Sequence, residues 1–209
     1  MRWFRRALVQ ALNGDIDFNS DTLKLTLHTS TYALNADTHD FVDDLTNELA
    51  TGGGYTNGGL TIAGASVTYT AANSWATTRA NSTAYAVDDV VRPATGNGKL
   101  YRCITAGTSG GSIPTFDTDL GSTTTDGSVE WENVGSGVIV LDMTGDPTWT
   151  SPTTFGPARY AVLSDRTPVG ASAQPLIGYT DFGTDRSGGG GDFVLALHPQ
   201  LGLLHIFTP

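Results

Sequence analysis

Between residues 22 and 29 the apolar side chains Leu23, Leu25 and Leu27 alternate with Lys24, Thr26 and His28, the period-two pattern of a strand with one face buried. Residues 37–49 then predict an amphipathic helix. Asp37 or Thr38 caps it, Asp40, Asp43 and Asp44 lie near the positive end of its dipole, and Phe41, Val42, Leu45 and Leu49 form the buried stripe. Gly52, Gly53 and Gly54 supply the left-handed conformations that stop it. Upstream, Trp3, Phe4, Leu8 and Leu12 recur at helical spacing and Asn13-Gly14 ends the run, which predicts a short docking helix. That helix either covers one end of a β core or grips a neighbouring subunit.

Further along, Leu60, Ile62, Ala65, Val67 and Tyr69 predict two short strands turning at Ala63-Gly64. The texture changes at Trp75. To about Val134 the chain is rich in Thr, Gly and Asp and carries its own spaced aromatics, Trp75, Tyr85, Tyr101, Phe116 and Trp131. Val87, Val90 and Val91 with Tyr101 and Cys103 predict two strands around the turn at 94–99, and residues 128–132 a third. Past Gly135 longer strands are expected at 137–143, 160–164, 176–182, 193–198 and 203–207, separated by Gly, Asp and Pro turns. The pattern predicts a mainly β fold, a β-sandwich or barrel-like core with one or two short helices built by residues 1–74 and 135–209. Residues 75–134 form a small inserted all-β module.

Composition narrows the function. With 209 residues and 39% apolar content the chain can bury a core, and 26 glycines with only 15% charged residues suit short strands and tight turns. Eleven basic against 21 acidic residues leave a net charge of -10, which makes attraction to nucleic acid phosphates unfavourable, so no nucleic acid partner is expected. Cys103 stands alone, which excludes an intrachain disulfide and a thiolate metal cluster. The opening MRWFRRALVQAL has the early arginines of a signal peptide, but Gln10 interrupts its apolar run and no small-residue cleavage site follows, so retention is expected. No apolar run approaches the ~18 residues of a membrane span, and no membrane insertion is expected.

Candidate chemistry is thin. Residues 107–111 read GTSGG, but the following Ser112-Ile113-Pro114 does not suit the helix that a nucleophile elbow must enter. Asp117-Thr118-Asp119 with Gly121 lacks the glycine and glutamate positions of a calcium loop. His28, His39, His198 and His205 show no i, i+4 pairing, and a pairing of His198 with His205 lacks a third ligand. No enzyme activity, cofactor or metal is expected. Trp75, Tyr85, Tyr101 and Trp131 are candidate glycan contacts, since aromatic faces stack on sugar rings; packing inside a module of about 60 residues competes for the same side chains. Trp3, Phe4, Leu204, Ile206 and Phe207, apolar and near the chain ends, are candidate assembly contacts.

The stretches W-F-x-x-A-L, GDIDFNSDTLKLTLHTSTY, DTHDFVDDLTNEL and GGGYTNGG, all within residues 3–59, resemble a family of tailed-bacteriophage virion proteins. The resemblance resumes at ARYAV (158–162) and PLIGYTDFG (175–183). It implies a virion location and a structural role: most directly a capsid decoration protein, alternatively a neck or tail component. It also implies partners among the major capsid, neck or tail proteins, and a homo-oligomer, a trimer by expectation. The segment 75–134 is similar to a small aromatic β module of phage structural and fibre proteins, and distantly to chitin-binding modules. It does so through AYAVDDVVRP (84–93), YRC (101–103), AGTSG (106–110), PTF (114–116), TDG (125–127) and Trp131. In the motif Y-x-x-G-D-V-V, Asp88 stands where glycine is common. That similarity adds host-surface glycans as an alternative partner.

Overall fold

In the computed structural model, which describes all 209 residues, strands β1 to β16 and one α-helix follow in chain order. They are β1 (Arg2–Trp3), α1 (Ala7–Asn13), β2 (Leu23–His28), β3 (Leu60–Thr61), β4 (Ser66–Ala71), β5 (Ala84–Tyr85), β6 (Val90–Val91), β7 (Leu100–Thr105) and β8 (Gly107–Thr108). Then come β9 (Thr123–Asp126), β10 (Val129–Gly135), β11 (Gly137–Asp142), β12 (Thr148–Trp149), β13 (Ala158–Asp165), β14 (Leu176–Arg186), β15 (Phe193–Val194) and β16 (Leu204–Thr208). The fold is mainly β and sandwich-like, with several antiparallel sheets. Residues Met1–Val67 and Leu141–Leu204 form one compact unit; Thr68–Val140 with His205–Pro209 form the other.

The first unit is organised by a five-stranded antiparallel sheet in the order β1-β14-β13-β2-β3. Adjacent side chains on a strand point to opposite faces, and the two faces here carry different cores. Leu163 and Ile177 pack with Leu23, Leu25, Leu27, Trp149 and Phe155 on one side, while Val162 and Leu176 pack with Phe4, Ala7 and Tyr32 on the other. That second layer explains why Thr26 and His28, on the polar side of the β2 alternation, are also fully buried. His28 is satisfied there: its Nδ1 lies 2.8 Å from the Thr46 carbonyl and its Nε2 2.9 Å from Thr26 Oγ1.

The helix expected at 37–49 does not form; only a single 3-10 turn, Val42–Asp44, is present. Its backbone groups find partners across space instead. Val42 N–H donates to Gln174 O, Leu176 N–H to Asp40 O and Leu49 N–H to Leu27 O, so the segment is stitched to β2 and to the start of β14. Asp44, expected to interact with a helix dipole, accepts the Asp40 N–H at 2.9 Å and caps this turn. The N-terminal expectation fares differently. Trp3 belongs to β1, the helix starts at Ala7, and Gly14 stops it in the left-handed conformation (φ 83°), donating back to Ala11 O and Gln10 O. Of the strands expected at 60–69, β3 pairs with β2, whereas β4 belongs to the three-stranded sheet β16-β11-β4, so they are not a hairpin.

The second unit contains a four-stranded antiparallel sheet, β6-β7-β10-β9. Its β7–β10 pairing sets Cys103 opposite Trp131, and β6 adds Val91 opposite Tyr101. The polar strand β9, four residues of Thr and Asp, was not predicted. It is recruited by a two-residue turn, Gly127-Ser128, in which Gly127 has φ 67° and a Cβ would stand 2.5 Å from Thr108 O. Asp88 also has a positive φ, 74°, at the position where the resembling module favours glycine. Aspartate is among the few residues that tolerate this conformation.

Candidate functional site

The second unit's aromatic residues are the natural place to look for a ligand surface, and they turn inward. Trp131 and Tyr101 are 0% exposed and Trp75 4%. With Val91, Cys103, Phe116 and Val129, Trp131 and Tyr101 make the core of the four-stranded sheet. Each polar tip is satisfied inside. Trp75 Nε1–H donates to Val90 O at 3.0 Å, and the Tyr101 hydroxyl donates to Asp117 O at 3.0 Å while accepting from Asn97 at 2.8 Å. Tyr85 is half-buried, its ring edge-on to Trp131 at 4.9 Å and its hydroxyl accepting the Ala80 N–H. The four-residue glycan platform is therefore corrected: a unit this small needs its large rings for a core, and Tyr85 alone keeps a partly open edge.

Beneath Trp131 lies a charged centre that the sequence did not signal. Arg79, 3% exposed, donates Nε–H to Asp126 Oδ2 at 2.8 Å and Nη2–H to Asp126 Oδ1 at 2.6 Å. Its remaining hydrogens reach the carbonyls of Gly110 and Ser112 and the side chain of Asn81. Asp126, also 3% exposed, accepts further from Trp131 Nε1–H at 3.0 Å and Gly110 N–H at 2.8 Å. Burial alone would raise this carboxyl. The Arg79, Trp131 and Gly110 donors outweigh burial and hold it below the usual carboxylate range. Three stretches of chain, 79–81, 110–112 and 126–131, meet at these two side chains, so the arrangement organises the fold of the unit.

Other motifs are absorbed into structure. Ser109 of GTSGG is 4% exposed, donates to Ala80 O at 2.7 Å and accepts from Thr83 N–H at 3.0 Å, and no helix follows it. Asp117 Oδ1 accepts from Asp119 N–H in a local turn. Cys103 is buried with its thiol pushed up by burial and by Asp89, and Sγ–H donates to Thr105 O. No three His, Cys, Asp or Glu side chains converge with metal-binding geometry.

The assembly candidates divide. Phe4 is 0% exposed, packed with Ala7, Tyr32 and Leu176 and 5.2 Å from the Tyr179 ring, and Leu204 is 1% exposed, lying over Gly178. These two are corrected: each fills the chain's own core and is closed to a partner. Trp3, Ile206 and Phe207 are half-buried, Trp3 against Phe18 and Phe207 against His205. The apolar side chains that do face solvent are others: Val169 at 97%, Leu12 at 88%, Leu120 at 60% and Val9 at 59%. Leu12 belongs to the helical stripe read from the sequence, yet it faces solvent; Val169, Leu120 and Val9 lie outside any stripe read there, because an isolated surface apolar residue has no periodicity.

Two concavities of the first unit carry polar groups. One, of about 370 Å³, is lined by Met1, Arg2, Tyr179, Thr180, Asp181 and Gly183, and Asp181 there is already paired with Arg159. The other, of about 150 Å³, is lined by Asp142, Asp146 and His198 among others. His198 Nδ1 accepts the amides of Gln200 and Leu201, which places the ring proton on Nε2. Both are open, and their carboxylates already have partners: Asp181 the Arg159 guanidinium, Asp142 the Met143 N–H and Asp146 the Leu197 N–H. No family model, no curated protein and no solved structure matches the chain.

Proposed function

We propose that this chain is a non-enzymatic structural protein of a tailed-phage virion, a decoration protein that coats the capsid in many copies. The observation that carries the reading is where the resembling stretches fall. Residues 3–59, 158–162 and 175–183, far apart in sequence, supply β1, β2, β13 and β14, neighbours in one five-stranded sheet. A likeness scattered along the chain thus condenses on one folded unit, as a shared anchoring domain requires. A neck or tail component is the second reading, supported by the same stretches.

Copy number separates the two. Quantitative mass spectrometry of purified particles should find the chain at roughly the stoichiometry of the major capsid protein; about a dozen copies would favour the neck, whose closed ring sets that number. Absence from purified particles overturns both readings.

A further inference from the structure

Strand β4 (Ser66–Ala71, SVTYTA) ends the sheet β16-β11-β4, so one of its two edges has no strand beside it. Away from its ladder with β11, none of these six residues hydrogen-bonds to another part of the chain. An open edge is a template for strand pairing, and proteins blunt such edges with short strands, charged side chains, proline or bulges. The other edges of this chain follow that rule. β1, β3 and β6, and all four strands of the two-stranded sheets, are two residues long, and the part of β14 that runs past β1 carries Asp181, Asp185 and Arg186. β9 is four residues long and ends in the buried Asp126, and β16 is half-buried. β4 has none of these protections. It is the longest edge strand, it exposes Val67, Thr68 and Tyr69, and it holds neither charge nor proline. No charged residue at all lies between Glu48 and Arg79, the longest uncharged run of the chain. Val, Thr and Tyr are the residues that favour strands. Tyr69, 60% exposed, is laid over the neighbouring strand, where a Cβ on Gly137 would stand 2.6 Å from its ring.

We propose that β4 pairs edge to edge with β4 of a second copy of this chain, antiparallel about a two-fold axis, joining the two sheets into one. Charge selects this occupant. Each copy carries a net charge of -10, so two copies repel unless they meet where no acid lies, and the uncharged run at 49–78 is such a place. An acidic or basic partner would find no opposite charge on this strand to pair with. A two-fold axis also lets one strand supply both halves of the contact. Side chains of one face then meet their own kind: Val67 and Tyr69 on one side of the joined sheet, Ser66, Thr68 and Thr70 on the other. The contact is narrow, and the dimer correspondingly weak. This pairing is independent of the virion reading. It also differs from the trimer that the resemblance implies, because a three-fold ring brings two different surfaces together.

The test is sedimentation equilibrium of the whole chain from micromolar to millimolar concentration. The samples are wild type, Thr68→Lys, Thr68→Glu, an equimolar mixture of those two variants, and Leu12→Ser as a control on the exposed side of α1. Thr68 lies mid-strand, so its counterpart falls directly opposite or diagonally across the two-fold axis. Wild type and Leu12→Ser should form dimers. Each Thr68 variant alone should dimerise about tenfold more weakly, with unchanged circular dichroism, because like charges then face each other. The mixture should recover the dimer, since lysine then faces glutamate. A wild type that is monomeric throughout, or trimeric, overturns the proposal. So does a dimer lost in Leu12→Ser but kept in Thr68→Lys, or a mixture that stays monomeric. Should the Thr68 variants fail to fold, hydrogen exchange of the wild type at low and high concentration decides. Amides of β4 that gain protection as the dimer forms support the edge pairing, and β4 amides that exchange equally fast in monomer and dimer remove it.

Discussion

Each unit buries one aspartate, and the two answer the cost of burial in opposite ways. Asp126 is met by a guanidinium, an indole N–H and an amide, so its charged form is the stable one. Asp165 is met by the Thr167 amide while its Oδ2 has no partner, so burial pushes its carboxyl above the usual range. Burial is the first influence on both. The environment's donors, supplied by distant segments, set the direction of each shift.

The largest effect should come from breaking the compensated side of this comparison. Arg79→Met leaves Asp126 buried without its cation, a loss on the order of 3–5 kcal/mol. Hydrogen exchange should show β9 and β10 losing protection while β13 keeps its own. Adding Asp126→Leu to Arg79→Met should return much of the loss, because a pair of apolar groups needs no compensation.

Next comes Trp131→Ala, which removes a fully buried ring and one donor to Asp126; about 3–5 kcal/mol is expected from the cavity. Leu163→Ala, at the centre of the first unit's sheet, should cost about 2–5 kcal/mol and be felt in that unit. Urea unfolding followed by tryptophan fluorescence and exchange would locate each loss. Equal loss of protection everywhere would mean that the two units unfold as one.

Acid sharpens the contrast at smaller amplitude. Asp126 has a depressed carboxyl, so its contribution is present above about pH 4 and is lost as pH falls through its lower folded-state value. Asp126→Asn should lower stability near neutrality and flatten the acid limb in the second unit. In the first unit His28, buried in its neutral form and shifted down by burial, loses its contribution as pH falls below about 6.5. Asp165 opposes this, because a raised carboxyl contributes stability that is complete below about pH 4 and lost as pH rises through its folded-state value, so the first unit's acid limb should be shallow.

The smallest effects belong to exposed apolar side chains. Leu12→Ser, Val169→Ser and Leu120→Ser should each change free-chain stability by less than about 0.5 kcal/mol. Light scattering on the same variants asks a separate question: a shift to smaller particles for one of them would place the self-association surface on that face.

Several features were legible in the sequence for local reasons. The Leu23-Leu25-Leu27 alternation, the glycine stop of α1 and the β-branched and aromatic runs of β6, β7, β10, β13 and β14 all reflect preferences of neighbouring residues. The mainly β fold followed from them. The aromatic residues of the second unit could be read as core or as ligand platform, and burial settled Trp75, Tyr101 and Trp131 as core, because the periodicity of a strand says which face a ring shares but not which face is covered.

Tertiary structure decided the rest. The 37–49 segment has helical spacing, yet its backbone groups pair with β2 and β14, and those non-local hydrogen bonds override a weak local propensity. Strand β9 has no apolar pattern and exists because its partner β10 supplies the ladder. Arg79 and Asp126 lie 47 positions apart; no spacing rule reaches across such an interval. A carboxyl's charge depends on which donors the folded chain brings within about 3 Å of it, and that is a property of the three-dimensional packing, which residue order encodes only through the fold.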